Sequence, residues 1–167
     1  MDKKNDFIEK INENKGLIFK IASIYTNSAE DRTDLIQEIA YQLWKSFDTF
    51  NQKSSVSTWM YRVAMNVAIY HLKSAKKKVQ IVPLEPQFLD FHEIENGEME
   101  EKWQVLKYHI NQLNLLDKGI VILYLENKSY EEISQITGIS VSNVGTKFSR
   151  IKEKLKQQIL KKYNYGT

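Results

Sequence analysis

The feature that most constrains how this chain folds lies near its C-terminus, in SYEEISQITGISVSNVGTKFSRIKEKLKQQ from Ser129 to Gln158. Ser129 and Glu132 have the spacing of a capping box, so a helix starts there. Gly138 supplies the positive φ that ends it. Ser140 then caps a second helix, whose apolar positions Val144, Phe148, Ile151 and Leu155 form one stripe at helical spacing. Thr146, Lys147, Arg150, Lys152 and Lys154 lie between them. Two short helices around a tight turn, the second one basic outside, is the layout of a DNA-binding helix-turn-helix. A plain helical hairpin with solvated basic ends shares the capping and the stripe. Gly145 counts against a recognition helix, costing about 1 kcal/mol relative to alanine, or else it lets the backbone approach a phosphate.

The rest of the composition narrows the class. The chain has 167 residues, no cysteine and three histidines, His71, His92 and His109, that lack ligand spacing. Disulfide frameworks, thiolate metal sites and cysteine nucleophiles are therefore excluded. No run of apolar residues is long enough to span a membrane. The charged start MDKKNDFIEK lacks an apolar signal-peptide core, so a soluble cytoplasmic protein is expected. No paired carboxylates, metal cluster or nucleophile with a base is visible, and neither enzymatic activity nor a cofactor is expected.

Charge is sorted along the chain. Met60 to Lys78 holds Arg62, Lys73, Lys76, Lys77 and Lys78 and no acid. Val79 to Glu101 holds Glu85, Asp90, Glu93, Glu95, Glu98, Glu100 and Glu101 and no lysine or arginine. From Val144 onward the basic residues face the single acid Glu153. Two positive blocks suit nucleic acid, through counterion release. The acidic block between them is repelled by DNA and belongs in solvent or in a positive channel on a partner.

Both prolines, Pro83 and Pro86, fall in the acidic block, which makes IVPLEPQ extended. A boundary follows: a helical domain over 1–78, a flexible acidic linker over 79–98 and a second helical domain over 99–167. In the first, Phe7, Ile8, Ile11, Ile18, Ile21 and Tyr25 give one apolar face, with Gly16 as a weak point. Leu35, Ile36, Ile39, Ala40, Leu43, Trp44 and Phe47 give another. A third runs through Trp59, Met60, Val63, Ala64, Val67 and Ala68, capped by Ser57 or Thr58. In the second domain, helices from about Met99 to Leu115 and Asp117 to Glu126 precede the helix-turn-helix. They close around Trp103, Leu106, Ile110, Leu113, Ile120, Leu123 and Tyr124. Nothing alternates as a strand, so the fold class is all-α. Trp59 and Tyr61 open the helix that ends in HLKSAKKK. Aromatics among basic residues bind unpaired nucleotides, although the spacing of Trp59 fits a core position equally well.

DLIQEIAYQLWKSFDTF with STWMYRVAMNVAIYHLK resembles the second conserved region of bacterial sigma-70 type initiation factors. NLLDKGIVILYLENKSYEEISQITGISVSNVGTKFSRIKEKL resembles their fourth region, and a short chain with these two regions looks like the extracytoplasmic-function group. The resemblance implies a factor that binds core RNA polymerase, on the β′ clamp helices and the β subunit. Asp34, Leu35, Gln37 and Glu38 would make the polymerase contact, although Asp34 also fits a helix cap and Gln37 and Glu38 a solvated face.

The third helix and the preceding loop would engage the −10 element. Phe50, Ser54, Ser55 and Asn66 would help form a pocket for a flipped base, whose unstacking costs a few kcal/mol. Trp59, Tyr61, Arg62, Lys73, Lys76, Lys77 and Lys78 complete the expected single-strand contact. Ser142, Asn143, Thr146, Lys147 and Arg150 would read the −35 element. Promoter DNA, duplex and single-stranded, is thus the expected ligand of a factor that is monomeric when free. The resemblance further implies an anti-sigma partner, usual in the group, and an acidic linker that threads toward the active-site cleft.

Gly145 and Ser149 stand where many relatives carry longer or basic residues, which shifts −35 contacts toward backbone and shape. Tyr70 stands where many have aspartate. The competing reading is a stand-alone helix-turn-helix regulator with an N-terminal sensor or dimerisation bundle.

Overall fold

The computed structural model describes residues 2–50, 52–74 and 97–165, with side chains from 104 to 161 in the last stretch. The chain divides into two compact units, Met1–Glu93 and Ile94–Thr167. All regular structure among the described residues is helical. The linker expected over 79–98 lies outside the described residues except Gly97 and Glu98. Those two already belong to a helix, so it begins slightly ahead of the expected Met99.

In the first unit, α1 (Lys3–Glu13) starts on Asp2, whose side chain accepts from the Asn5 amide at 2.8 Å. The break before α2 (Lys15–Tyr25) falls at Asn14 rather than at Gly16. There the Asn14 side-chain amide donates back to the Lys10 carbonyl at 2.9 Å, the kind of local bond that competes with helix continuation. Leu17, Ile18, Ile21, Ala22, Ile24 and Tyr25 are all buried, and α2, α3 and α4 pack on one another around them.

Helix α3 (Ala29–Ser46) starts on Ser28, which accepts from the Asp31 amide, and buries Leu35, Ile36, Ile39, Ala40 and Leu43. Phe7 meets Trp44 edge-on at 5.1 Å and Phe47 at 5.3 Å, closing α1 over the end of α3. After a 3₁₀ turn at Phe47–Thr49, α4 (Val56–Lys73) begins. Its cap is Ser55, not Ser57 or Thr58: the Ser55 hydroxyl accepts from the Thr58 amide at 3.1 Å. Thr58 lies inside the first turn, and its Oγ1 accepts from the Ser55 hydroxyl at 2.9 Å, so it is not the cap.

A polar bond ties α3 to α4. Glu38, only 5% exposed, places Oε2 2.7 Å from Nδ1 of His71. An ionised carboxylate offers only lone pairs, so the ring nitrogen is the donor in that state. A buried carboxyl without such a partner would carry a large desolvation cost.

The second unit contains α5 (Gly97–Ile110), α6 (Leu115–Leu125), α7 (Tyr130–Thr137) and α8 (Val141–Tyr165). Asn114 caps α6 by accepting from the Asp117 amide at 2.9 Å. The capping box on α7 is complete: Glu132 N–H donates to Ser129 Oγ, and Ser129 N–H donates to Glu132 Oε1. Gly138 takes φ 83°, and its N–H donates to the Ser134 carbonyl at 2.9 Å. Ser140 Oγ accepts from the Asn143 amide at 3.1 Å and starts α8. Ile110, Leu113, Ile120 and Leu123 are buried as expected, together with Ile133, Ile136, Val144, Phe148 and Ile151. Leu106 is half-buried, whereas Tyr124 is 45% exposed despite its place in the expected core. Trp103 lies outside the described side chains.

Two predictions follow from these bonds. The Ser129 amide, then the Ser129 hydroxyl and Lys128, hold the Glu132 carboxyl below its ordinary value of 4.5. Its folded value is depressed, so its stabilisation is complete above that ordinary value and is lost as pH falls through the folded one. Glu132→Gln therefore lowers stability by about 0.3–1 kcal/mol near neutrality. In thermal melts the gap between the two proteins narrows with acid; a gap independent of pH would contradict the assignment.

The α3–α4 tie is tested by a double-mutant cycle with Glu38→Gln, His71→Gln and both. A coupling of about 1–3 kcal/mol is expected in urea unfolding, whereas additive losses would mean that the pair contributes nothing.

Candidate nucleic-acid interface

Helix α8 is phased by its buried stripe. Val144, Phe148 and Ile151 point inward, with Leu155 half-buried beneath the next turn. A helix that buries positions 144, 148 and 151 must turn the intervening positions outward. Ser142, Asn143, Thr146 and Arg150 are accordingly exposed, and Lys147 is half-buried. The Thr146 hydroxyl donates to the Ser142 carbonyl at 3.1 Å. Toward solvent it thus presents its methyl group and oxygen lone pairs, a surface suited to a thymine methyl or a base donor.

Three aromatic rings hold this helix. Phe148 lies 4.1 Å from the Tyr124 ring and 6.2 Å from that of Tyr130, so α8 is pinned to the end of α6 and the start of α7. Tyr124 is exposed at one edge because it covers Phe148 from outside, which is why its core assignment fails. Lys152 places its ammonium 5.3 Å from the Phe148 ring. Gly145 faces the same cluster: a Cβ built there would lie 3.6 Å from Tyr130 Cε2 and 3.8 Å from Cδ2. These are ordinary contacts, so crowding inside the protein does not explain the glycine. Its intrinsic cost to the helix stands.

In the first unit, α4 presents a comparable outward stripe. Arg62, Asn66, Tyr70 and Lys73 are all exposed and recur at helical spacing. The opposite side buries Met60, Ala64 and Ala68. Trp59 and Tyr61 belong to the core, at 9% and 2% exposure, and are not available to stack on bases. Trp59 is covered by Phe47 at 6.2 Å and by Phe50 at 4.8 Å, while the Tyr61 position is rotated onto the inward side of α4. Phe50 itself stays half-buried, with Ser54 half-buried and Ser55 exposed beside it at the start of α4. Gln52 takes φ 61°, a left-handed position. Lys76, Lys77 and Lys78 lie outside the described residues.

The residues expected on polymerase divide by burial. Asp34 is exposed and Gln37 half-buried. Leu35 is a fully buried core residue, and Glu38 is turned inward onto His71. In the sequence His71 shows nothing beyond its lack of ligand spacing. Its partner lies 33 positions away, so no local signal could have found the bond.

Comparison with known proteins agrees with this arrangement. The family model for sigma-70 region 2 matches residues 11–78, and that for sigma-70 region 4 matches residues 106–155. RNA polymerase sigma factor SigV of Bacillus subtilis is 25% identical over 154 residues, covering 90% of this chain and 89% of that protein. ECF RNA polymerase sigma factor SigW of the same organism is 27% identical, covering 94% and 92%. The ECF sigma-E factor of Escherichia coli K12 is also 27% identical, covering 84% and 81%.

Among solved structures, the sigma factor RpoE in complex with the anti-sigma factor NepR from Bartonella quintana superposes with a TM-score of 0.68 at 19% identity, covering 93% of this chain and 97% of that one. CnrH in complex with the cytosolic domain of CnrY superposes with a TM-score of 0.67 at 14% identity, covering 94% and 89%. Both likenesses bear on the fold. With two conserved regions in the family's order and relatives matched over most of their length, the chain belongs to the sigma-70 family, in the extracytoplasmic-function group of RNA polymerase initiation factors.

Proposed function

We propose that the first unit engages and melts the −10 element through the outward face of α4 and the loop before it, and that the second reads the −35 element through α8. The observation carrying this reading is that each unit turns one polar face outward on a helix whose other side is locked in a core; the α4 helix carries no carboxylate, and the α8 face carries Glu153 beside Arg150. On α4 that face includes Arg62, Asn66 and Lys73; on α8 it includes Asn143, Thr146 and Arg150. Half-buried Phe50, backed by Trp59, and the neighbouring Ser54 and Ser55 supply the wall for a flipped base. The protein has no need of catalysis for this: binding energy offsets the few kcal/mol of unstacking.

Polymerase docks on the exposed part of α3 around Asp34 and Gln37. Glu38 and Leu35 act from beneath, by fixing that helix to its neighbours. The domain limits that suit this function are 1–78 and 99–167, with the acidic stretch 79–98 between them following a positive channel on polymerase. Promoter binding places the protein in the cytoplasm. The solved relatives are complexes with NepR and with CnrY, and by analogy an anti-sigma partner also restrains this factor.

Transcription by core polymerase with the purified protein on genomic fragments, followed by sequencing of 5′ ends, tests the reading. Discrete starts with two shared upstream motifs are expected. Arg150→Ala should reduce output from those promoters about 5- to 150-fold and relax preference at one base pair of the upstream motif only. Asn66→Ala should alter the downstream motif only. Starts without a paired motif, or binding to duplex DNA that needs no polymerase, would favour an operator-binding regulator.

A further inference from the structure

Among the described residues of the first unit, Tyr70 is the one large apolar side chain left open to solvent, at 57% exposure. Phe7, Tyr25, Trp59 and Tyr61 are buried, and Phe50 leans on Trp59. Tyr70 shows no ring contact and no side-chain hydrogen bond among the described residues. It follows Asn66 by four positions and precedes Lys73 by three, so it shares their face of α4. Arg62 lies two turns earlier on that face, which spans about 16 Å at 1.5 Å per residue. No aspartate or glutamate occurs anywhere in α4. Glu38, which packs against α4, is turned onto His71 on the opposite side.

An exposed ring between two cations on a carboxylate-free face has a specific chemical complement. Phosphates are drawn to Arg62 and Lys73, and a flat apolar partner is needed for the ring between them. An unpaired nucleotide supplies both. A closed duplex supplies only the phosphates, since its base faces are stacked on one another.

We propose that Tyr70 is a stacking platform for an unpaired base of the melted promoter strand. This base is distinct from the one held near Phe50. Fifteen residues of helix separate the Ser55 cap from Tyr70, which places the second base about 22 Å along α4. The strand is thereby held at both ends of one helix: by a pocket at its start, and by a ring with flanking cations near its end. This inference rests on the reading that α4 faces the −10 strand.

The test uses the full chain bound to core polymerase, with a forked promoter probe whose −10 non-template strand is single-stranded. Tyr70→Ala should weaken binding about 5- to 150-fold, and Tyr70→Phe, which keeps the ring, should recover most of the loss. A 2-aminopurine scan along the strand should show one position quenched by the native protein and bright with Tyr70→Ala.

If Tyr70→Ala binds the fork normally while Arg62→Ala and Asn66→Ala weaken it, the stacking role is wrong and the −10 reading stands. If all three bind normally, the −10 reading itself falls. Loss of affinity for core polymerase without DNA would make Tyr70 a protein contact and overturn the proposal.

Discussion

The functional reading of the first unit depends on the rotational setting of α4. Met60, Ala64 and Ala68 are fully buried on one side of this helix, packed against α2 and α3. Alanine at two of these positions lets neighbouring backbones come close, as small residues in a helix interface do. A rotation by a single residue, about 100° for an α-helix, would bury Arg62 or Asn66 and expose a core methionine. Each buried large side chain contributes about 1.5–3 kcal/mol, so the unit strongly resists that rotation. The outward stripe is thus a consequence of the core.

The Glu38–His71 bond reinforces the setting from the polar side. Hydrophobic burial is tolerant of small sliding motions, whereas a 2.7 Å hydrogen bond to a carboxyl 5% exposed is not. It links the helix proposed to dock on polymerase to the helix proposed to hold the melted strand, near the end where Tyr70 and Lys73 emerge. In the second unit the aromatic group of Tyr124, Tyr130 and Phe148 has the equivalent task, since it fixes which residues of α8 face outward.

Much of this was legible in the sequence wherever the signal is local. Ser129, Glu132 and Gly138 announce the start and stop of α7 by chemistry confined to a few residues, and all three act as read. The stripe Val144, Phe148, Ile151 likewise fixes the outward residues of α8. What could not be read depends on distant partners. Glu38 looks like a solvated residue until His71 is brought against it. Trp59 and Tyr61 look like stacking residues because their neighbours are basic, yet Phe47 and Phe50 cover one and the core takes the other. Nothing in the sequence places Tyr130 beside Gly145. Ser55, rather than Ser57 or Thr58, caps α4, its hydroxyl accepting from the Thr58 amide. Four hydroxyl residues within five positions, Ser54, Ser55, Ser57 and Thr58, give no local preference.

Site-specific photocrosslinking can establish whether the outward stripe of α4 meets the unpaired promoter strand. A photoreactive residue would replace Asn66 on the stripe, and in a control Lys20, which is exposed on α2. Each protein would be assembled with core polymerase on promoter DNA and irradiated. Crosslinks are expected from position 66 to the −10 non-template strand, dependent on strand opening, and none from position 20. Crosslinks from position 66 that map to upstream duplex, or that form equally on DNA that cannot open, would contradict this expectation.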